Sequence, residues 1–261
     1  MSVKAKKHLG QHFLKDRGVC QRISDQYKEH KGCKKVLEVG PGMGALTEFL
    51  LARDLDVWAM EVDRDSVPYL NEHFPALHGK IIEADFLKID LKSVMGVEPY
   101  AVVGNFPYNI SSQILFTCLE HRNQIPEIMG MFQREVAQRI AEKPGTKKYG
   151  ILSVFMQAYY DIEYCFTVDE HVFDPPPRVK SGVIRCIRNE REKLPCDEVL
   201  FKQVVKMSFN QRRKTIRNSV KALLKGNKVD HEFMALRPET LSVDQFVELT
   251  QLIDGLSPVE G

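Results

Sequence analysis

The sequence predicts an α/β protein: a mostly parallel sheet covered by helices, followed by a small all-helical domain. Three observations predict it. Short apolar runs alternate with stretches of helical spacing over about the first 190 residues. A glycine-rich turn follows the first complete run, where a strand would feed a helix. From about Asp197 onward the pattern is helical only.

The elements follow in order. Lys35-Val-Leu-Glu-Val39 ends at Gly40 and reads as a buried strand, and 45–52 has helical spacing. Val57 to Glu61 reads as a second strand, and Ser66 to His73 as a helix stopped before Pro75. Lys80 to Glu83 and Tyr100 to Gly104 are the third and fourth strands. Ser111 suits an N-cap for a helix over 112–120, and Glu127 to Phe132 is a fifth strand. Strands and helices in alternation imply parallel pairing with helices on both faces. Val183 to Arg188 is a late strand, followed by the charged, Pro-marked connection 189–195. Phe201, Val205 and Phe209 then fall on one helical face. The expected division is a first domain over 1–190, opening with a basic arm over 1–17, and a helical domain over 191–261.

Composition narrows the function classes. The chain has 261 residues, 43% hydrophobic and 28% charged, enough for a core in more than one domain. It has no run of ~18 apolar residues, so no transmembrane helix is expected. No apolar stretch follows the lysines at the start, so a cytoplasmic protein is expected. The six cysteines form no Cys-x-x-Cys and have no nearby His at ligand spacing, so reduced thiols and no metal site are expected. Net charge is only +2, but its distribution is uneven. Lys202 to Lys225 holds eight Lys or Arg and no acid, and the first seventeen residues are also basic. Clusters of this kind suit phosphates.

Glu38-Val-Gly-Pro-Gly-Met-Gly44 lies between strand and helix. Gly40, Gly42 and Gly44 permit a tight turn and let a ligand approach the main chain. Gly40-x-Gly42-x-x-Ala45, with Glu61 about twenty residues on, also fits a dinucleotide fingerprint. Glu61 can hold the hydroxyls of a ribose, and Asp85 can accept from an adenine amino group. Glu38 ahead of the glycines favours S-adenosylmethionine, whose sulfonium tolerates nearby carboxylates.

Asn105-Phe-Pro-Tyr108 follows the fourth strand, at the sheet edge beside the glycine turn. Its residues suit methyl transfer to a conjugated amine, whose lone pair is delocalised into the ring. The Asn105 side-chain oxygen and a main-chain carbonyl at Phe106 or Pro107 can accept both N–H bonds and turn the lone pair toward the methyl group. Pro107 stiffens the turn, and Tyr108 can stack on the base. Phe173, held by Pro175-Pro-Pro177, is the candidate second aromatic wall. Such a pocket takes a flipped or unpaired base. A nicotinamide oxidoreductase would have no use for this tetrad.

Together these segments resemble the ribosomal RNA adenine dimethyltransferase family, in particular its small-subunit members. The resemblance starts at Leu9-Gly-Gln-His-Phe-Leu-Lys-Asp16 and passes through the glycine turn, Glu61-Val-Asp63, Ala84-Asp85 and Asn105 to Ser111. It continues over Phe173 to Ser181 and ends at the most specific stretch, Phe209-Asn-Gln-Arg-Arg-Lys-Thr-Ile-Arg-Asn218. The resemblance implies a Rossmann-like, S-adenosylmethionine-dependent methyltransferase domain with a helical C-terminal domain. It implies two methyl groups on each of two adjacent adenosines near the 3′ end of 16S RNA, within the pre-30S subunit late in assembly. A monomer is expected. By position, cofactor contacts fall on His12, Leu14, Gly40, Glu61, Asp85 and Asn105, and the base pocket on Asn105, Pro107, Tyr108 and Phe173. Two residues depart from the family pattern: His12, where Asn is frequent, and Phe106, where Leu is usual.

Residues Gln211 to Leu224 read as one helix, with Lys214, Arg217, Lys221 and Lys225 in a stripe beside apolar Ile216, Val220, Leu223 and Leu224. With Arg212 and Arg213 this stripe is the expected RNA contact, and phosphate binding would make it salt-dependent. The alternatives are a large-subunit RNA adenine methyltransferase, against which the 210–218 stretch argues, and a non-catalytic assembly factor, against which the intact tetrad argues. A DNA adenine methyltransferase would need a target-recognition insertion.

Overall fold

The computed structural model describes residues 3–257. A short strand pair, β1 (Phe13–Leu14) and β8 (Phe173–Asp174), is antiparallel, with Leu14 opposite Phe173. The large sheet contains β2 (Lys35–Val39), β3 (Asp56–Glu61), β4 (Ile81–Glu83), β5 (Ala101–Asn105), β6 (Glu127–Gln133), β7 (Tyr160–Val168) and β9 (Ser181–Arg188). Its order is β4-β3-β2-β5-β6-β9-β7. The pairs β2–β3, β3–β4, β2–β5 and β5–β6 are parallel. β9 is antiparallel to β6, with Gln133 opposite Ser181.

Central strands covered on both faces must be apolar along their length. This explains why β5 is buried from Ala101 to Gly104 and β6 from Glu127 to Phe132. The connections are helical: α1 (Arg17–Gln26) precedes β2, α2 (Thr47–Leu51) follows it, and α3 (Ser66–His73) follows β3. α4 (Leu91–Met95) precedes β5, α5 (Ser111–Glu120) follows it, and α6 (Arg134–Ala141) follows β6. The chain moves outward from β2 through β3 to β4, then returns to β5 on the other side of β2. The carboxyl ends of β2 and β5 therefore flank the point where strand order reverses, which is where ligands bind in open α/β sheets.

Three local expectations change. The helix expected over 45–52 begins only at Thr47, because 42–46 are spent on turns in which Gly42 and Gly44 have positive φ. Ser111 is not an N-cap. It is the first residue of α5, after Ile110, and its hydroxyl donates to the Tyr108 carbonyl at 3.1 Å. The continuous helix expected over Gln211 to Leu224 does not exist. α8 (Glu198–Asn210) ends before it, Thr215 is extended, α9 covers only Ile216–Ser219, and a 3₁₀ turn spans Lys221–Leu224. Tertiary bonding ends the helical run: the Ile216 N–H donates to the Leu236 carbonyl at 2.8 Å rather than to its own preceding turn. Lys225, in the left-handed region at φ 50, terminates the 3₁₀ turn.

The chain divides into two compact units, the first taking the chain up to Gln138 with Asp161–Arg188. The second takes Arg139–Tyr160 and the chain from Asn189 onward. The sequence boundary at 190 thus differs from this division by the stretch 139–160, which carries α7 (Ile151–Gln157). The reason is aromatic packing within the second unit: Phe155 lies 6.1 Å from Phe201 of α8 and Tyr149 lies 6.3 Å from Phe209, which in turn lies 5.8 Å from Phe246 of α10 (Val243–Asp254). α8 is capped by the Asp197 carboxylate, which accepts from the Leu200 N–H at 2.7 Å.

Candidate active site

A cleft of about 720 Å³, open to solvent, lies at the carboxyl edge of the first unit's sheet. Its walls include Gly40, Gly42, Glu61, Asp85, Asn105 and Tyr108. Residues that sequence reasoning drew from separate segments thus meet at the strand switch point.

The glycine turn is built by main-chain bonds. The Gly40 N–H donates to the Met60 carbonyl at 2.9 Å and the Gly44 N–H to Pro41 at 2.9 Å. Gly40, Gly42 and Gly44 have φ of 70, 57 and 78°, where a side chain is strained. A Cβ on Gly42 would come within 2.8 Å of the Phe13 ring, whereas one on Gly40 would meet nothing within 4 Å. That open space beside the Gly40 backbone is where a ligand can approach closely.

Glu61, 3% exposed, ends β3 with both oxygens engaged. Oε2 accepts from the Gly42 N–H at 3.0 Å, and Oε1 from the N–H groups of Val62 and Asp63 at 2.9 and 2.8 Å. Burial nevertheless raises its pKa, outweighing these donors. Oε2, with a single donor, keeps acceptor capacity for a hydroxyl in the cleft. Glu38, buried in β2, accepts from the Thr47 hydroxyl at 2.6 Å. Burial pushes its carboxyl up to about 8, and the nearby Glu61 charge adds to this. Asp85 is half-buried; Oδ1 accepts from the Leu87 N–H at 3.0 Å and Oδ2 pairs with Lys88 at 3.2 Å.

In the tetrad, the Asn105 amide nitrogen donates to the His12 carbonyl at 2.9 Å. This bond uses the nitrogen and leaves Oδ1 as the acceptor that the chemistry requires. Pro107 lines the cleft beside it. Phe106 turns away and is 1% exposed. Its ring lies edge-on to Phe132 at 5.2 Å and fills the space that Cβ atoms on Gly104 and Gly130 would need. The bulk that departs from the family pattern is accommodated below the site.

The Tyr108 hydroxyl shares a hydrogen bond with the buried Ser181 hydroxyl at 2.5 Å. Burial raises the pKa of the phenol, keeping it neutral. The His12 imidazole stacks on Tyr108, centroids 5.6 Å apart, and its Nδ1–H donates to the Pro175 carbonyl at 2.8 Å. One face of Tyr108 is thus covered. A base stacks on this ring only by taking the other face or displacing His12.

Two residues named from sequence are buried. Phe173 is 1% exposed and sits in the core with Leu14, and neither is among the residues lining the cleft. The pairing of β1 with β8 places them there. Conversely, sequence reasoning did not single out Ser181, Thr47 or Phe13 for the positions they hold here. In the second unit, Arg213, Lys214, Arg217 and Lys221 are exposed, but Arg212 is not free. Its guanidinium donates to the carbonyls of Lys147 and Tyr149. Among the described residues no group of three His, Cys, Asp or Glu is placed to hold a metal ion, and no helix is long and apolar enough to cross a membrane.

Comparison with known proteins agrees with this geometry. The family model for ribosomal RNA adenine dimethylase matches residues 2–254. The ribosomal RNA small subunit methyltransferase A of Parabacteroides distasonis is 57% identical over 250 residues, covering 95% of this chain and 93% of the relative. Its namesake in Flavobacterium johnsoniae is 55% identical over 253 residues, 97% of both chains. Among solved structures, a dimethyladenosine transferase from Plasmodium falciparum shares the fold, with TM-score 0.75 at 23% identity over 93% of this chain and 98% of that one. The 23S rRNA methyltransferase ErmE is similar with TM-score 0.63 and 28% identity, over 92% of this chain and 99% of its own.

Proposed function

Because the chain belongs to the ribosomal RNA adenine dimethylase family, we propose that it transfers methyl groups from S-adenosylmethionine to the exocyclic amines of adenines in small-subunit ribosomal RNA. The observation that carries this reading is the meeting of Asn105 and Tyr108 with the glycine turn and Glu61 in one cleft.

The cleft suits the methyl donor. Open space beside Gly40 admits a ligand to the backbone. Glu61 would take the ribose hydroxyls and Asp85 the adenine amino group, with His12 beside them. When bound, S-adenosylmethionine supplies an electrophilic methyl on a sulfonium. The protein's own part is positioning. Asn105 Oδ1 and a main-chain carbonyl at Phe106 or Pro107 accept the two amine hydrogens and turn the lone pair out of conjugation. Tyr108 supplies a flat face for the base, and its hydroxyl is anchored by Ser181. No strong base is required, because a methylated arylammonium gives its proton to water readily. Pairing would bury the amine, so the target is an unpaired or flipped adenine.

The small-subunit substrate is supported by the stretch 209–218 and by relatives with that name at more than half identity. Within it we place the reaction on two adjacent adenosines near the 3′ end of 16S RNA, in the cytoplasm, by a monomer acting on a late pre-30S particle. The exposed cations Arg213, Lys214, Arg217 and Lys221 would meet RNA phosphates. The test is incubation of isolated small and large subunits with labelled S-adenosylmethionine, followed by mass spectrometry of the nucleosides. Dimethyladenosine confined to small subunits supports the reading. Label confined to large subunits, or none, overturns it.

A further inference from the structure

The arm that lines one side of the cleft, from Leu9 to Phe13, is tied to the ribose-side wall through one buried carboxylate. Asp63 follows β3 by two residues, and its side chain is fully buried. Its Oδ1 takes the Lys6 ammonium at 2.5 Å, and its Oδ2 accepts from the Gln11 amide at 3.0 Å. Lys6 also pairs with Asp65 at 2.6 Å. Gln11 closes the loop, because its Oε1 accepts from the Lys6 N–H at 2.8 Å. Between these residues the chain makes a single 3₁₀ turn, Lys7–Leu9, ended by Gly10 at φ 67. A Cβ there would meet Asn109 Oδ1 at 2.5 Å, so this turn is seated against the loop that follows the tetrad.

The other end of the link is Glu61. The Asp63 N–H donates to Glu61 Oε1 at 2.8 Å, and Asp63 Oδ1 in turn accepts from the Asp65 N–H at 3.0 Å. One residue thus holds the carboxylate on one wall and the arm on the other. We infer that Asp63, with Lys6 as its counter-ion, is a positioning residue for the methyl donor: it fixes the arm across the cleft and aims Glu61 at the ribose. The inference rests on the cofactor reading above. It adds that affinity depends on Asp63 and Lys6, neither of which lines the cleft.

The charge arrangement agrees. Burial alone would raise the Asp63 carboxyl, yet the hydrogen bonds from Lys6, Gln11 and the Asp65 N–H hold it below the usual carboxylate range. A buried carboxylate that loses its cation is left uncompensated. The arm would then no longer be held over the cleft.

Lys6 is part-exposed and lies on the arm, so replacing it leaves the sheet intact. The experiment measures S-adenosylmethionine binding by calorimetry for the wild type, Lys6→Met, Lys6→Arg, Gln11→Ala, Asp63→Asn and the Lys6→Met/Asp63→Asn pair, with melting temperature recorded for each. Lys6→Met and Asp63→Asn should each weaken binding about tenfold, and the pair little more than either alone, because the residues act as one unit. Lys6→Arg should stay within about twofold of wild type. Tryptic cleavage after Lys7 should accelerate in Lys6→Met, and bound cofactor should slow it less than in the wild type. A folded Lys6→Met protein that binds as tightly as wild type overturns the inference. So do losses that multiply in the pair. If the wild type itself fails to bind S-adenosylmethionine, the cofactor reading fails and takes this inference with it.

Discussion

Glu38→Gln should gain stability relative to the wild type as pH rises. Glu38 is buried in β2 and its carboxyl is pushed up to about 8 from an ordinary value of 4.5. A carboxyl raised on folding contributes its full stability below the unfolded pKa, and the folded state loses that stability as pH climbs through the folded value. Stability is therefore unaffected below about pH 4.5, falls across the window, and levels off above about pH 8. Each pH unit within it amounts to about 1.4 kcal/mol, so the whole window approaches roughly 4–5 kcal/mol. An amide has no such window. It keeps an oxygen to accept from the Thr47 hydroxyl, and any cost of its unpaired N–H is independent of pH. It shifts the offset between the two proteins and not the slope. Glu127, also raised by burial, is present in both proteins and drops out of the difference. Removing the Glu38 charge relieves Glu61 too, which acts in the same direction. The assay is urea unfolding of both proteins at about pH 5 and about pH 8.5. The single tryptophan, Trp58 in β3, reports on the unit that holds Glu38. A stability difference that is the same at both pH values would refute the reasoning.

Other expectations rest on the same geometry. Gly44→Ala should destabilise by about 2 kcal/mol or more, because φ is 78 and the new Cβ would run into the Phe74 ring; an unchanged urea midpoint would contradict this. Ser181→Ala should lower kcat several-fold by freeing the Tyr108 ring, while cofactor affinity stays near wild type in calorimetry. Arg212→Ala should lower the melting temperature of the second unit, since its guanidinium holds the carbonyls of Lys147 and Tyr149. By contrast, charge reversal at Arg213, Lys214 and Arg217 should weaken RNA binding and flatten its salt dependence by about one unit of slope per phosphate no longer neutralised, with melting unchanged.

The parts of the fold that are legible from sequence are those set by local pattern. Lys35 to Val39 and Glu127 to Phe132 are apolar runs because both faces of each strand are covered. Ser66 to His73 is a helix whose limits match its spacing and the proline beyond. The glycine turn and the Asn105 tetrad are legible because each directly follows a strand, and strand ends meet at the switch point. The hidden parts depend on partners distant in the chain. Ile216, Val220 and Leu224 have helical spacing and all are buried, yet they are carried by two short turns. Only the Leu236 carbonyl, twenty residues on, reveals the break. Phe173 reads from sequence as a pocket wall, and only its pairing with a two-residue strand shows that its ring is buried beside Leu14. The stretch 139–160 gives no local sign that it packs with α8 and not with the sheet. His12 reads as a cofactor contact by position, but its carbonyl bond to Asn105 and its stacking on Tyr108 exist only in the folded chain.

At the centre is an acceptor set that re-aims an aromatic amine, with Asn105 Oδ1 as its side-chain member. The direct measurement is single-turnover methyl transfer to small subunits by Asn105→Ala, with RNA binding recorded in parallel. Transfer should fall by about a hundredfold to a thousandfold, as for other positioned groups in the transition state, while RNA affinity stays within about threefold of wild type. Dimethyladenosine accumulating at close to the wild-type rate in that variant would contradict the account.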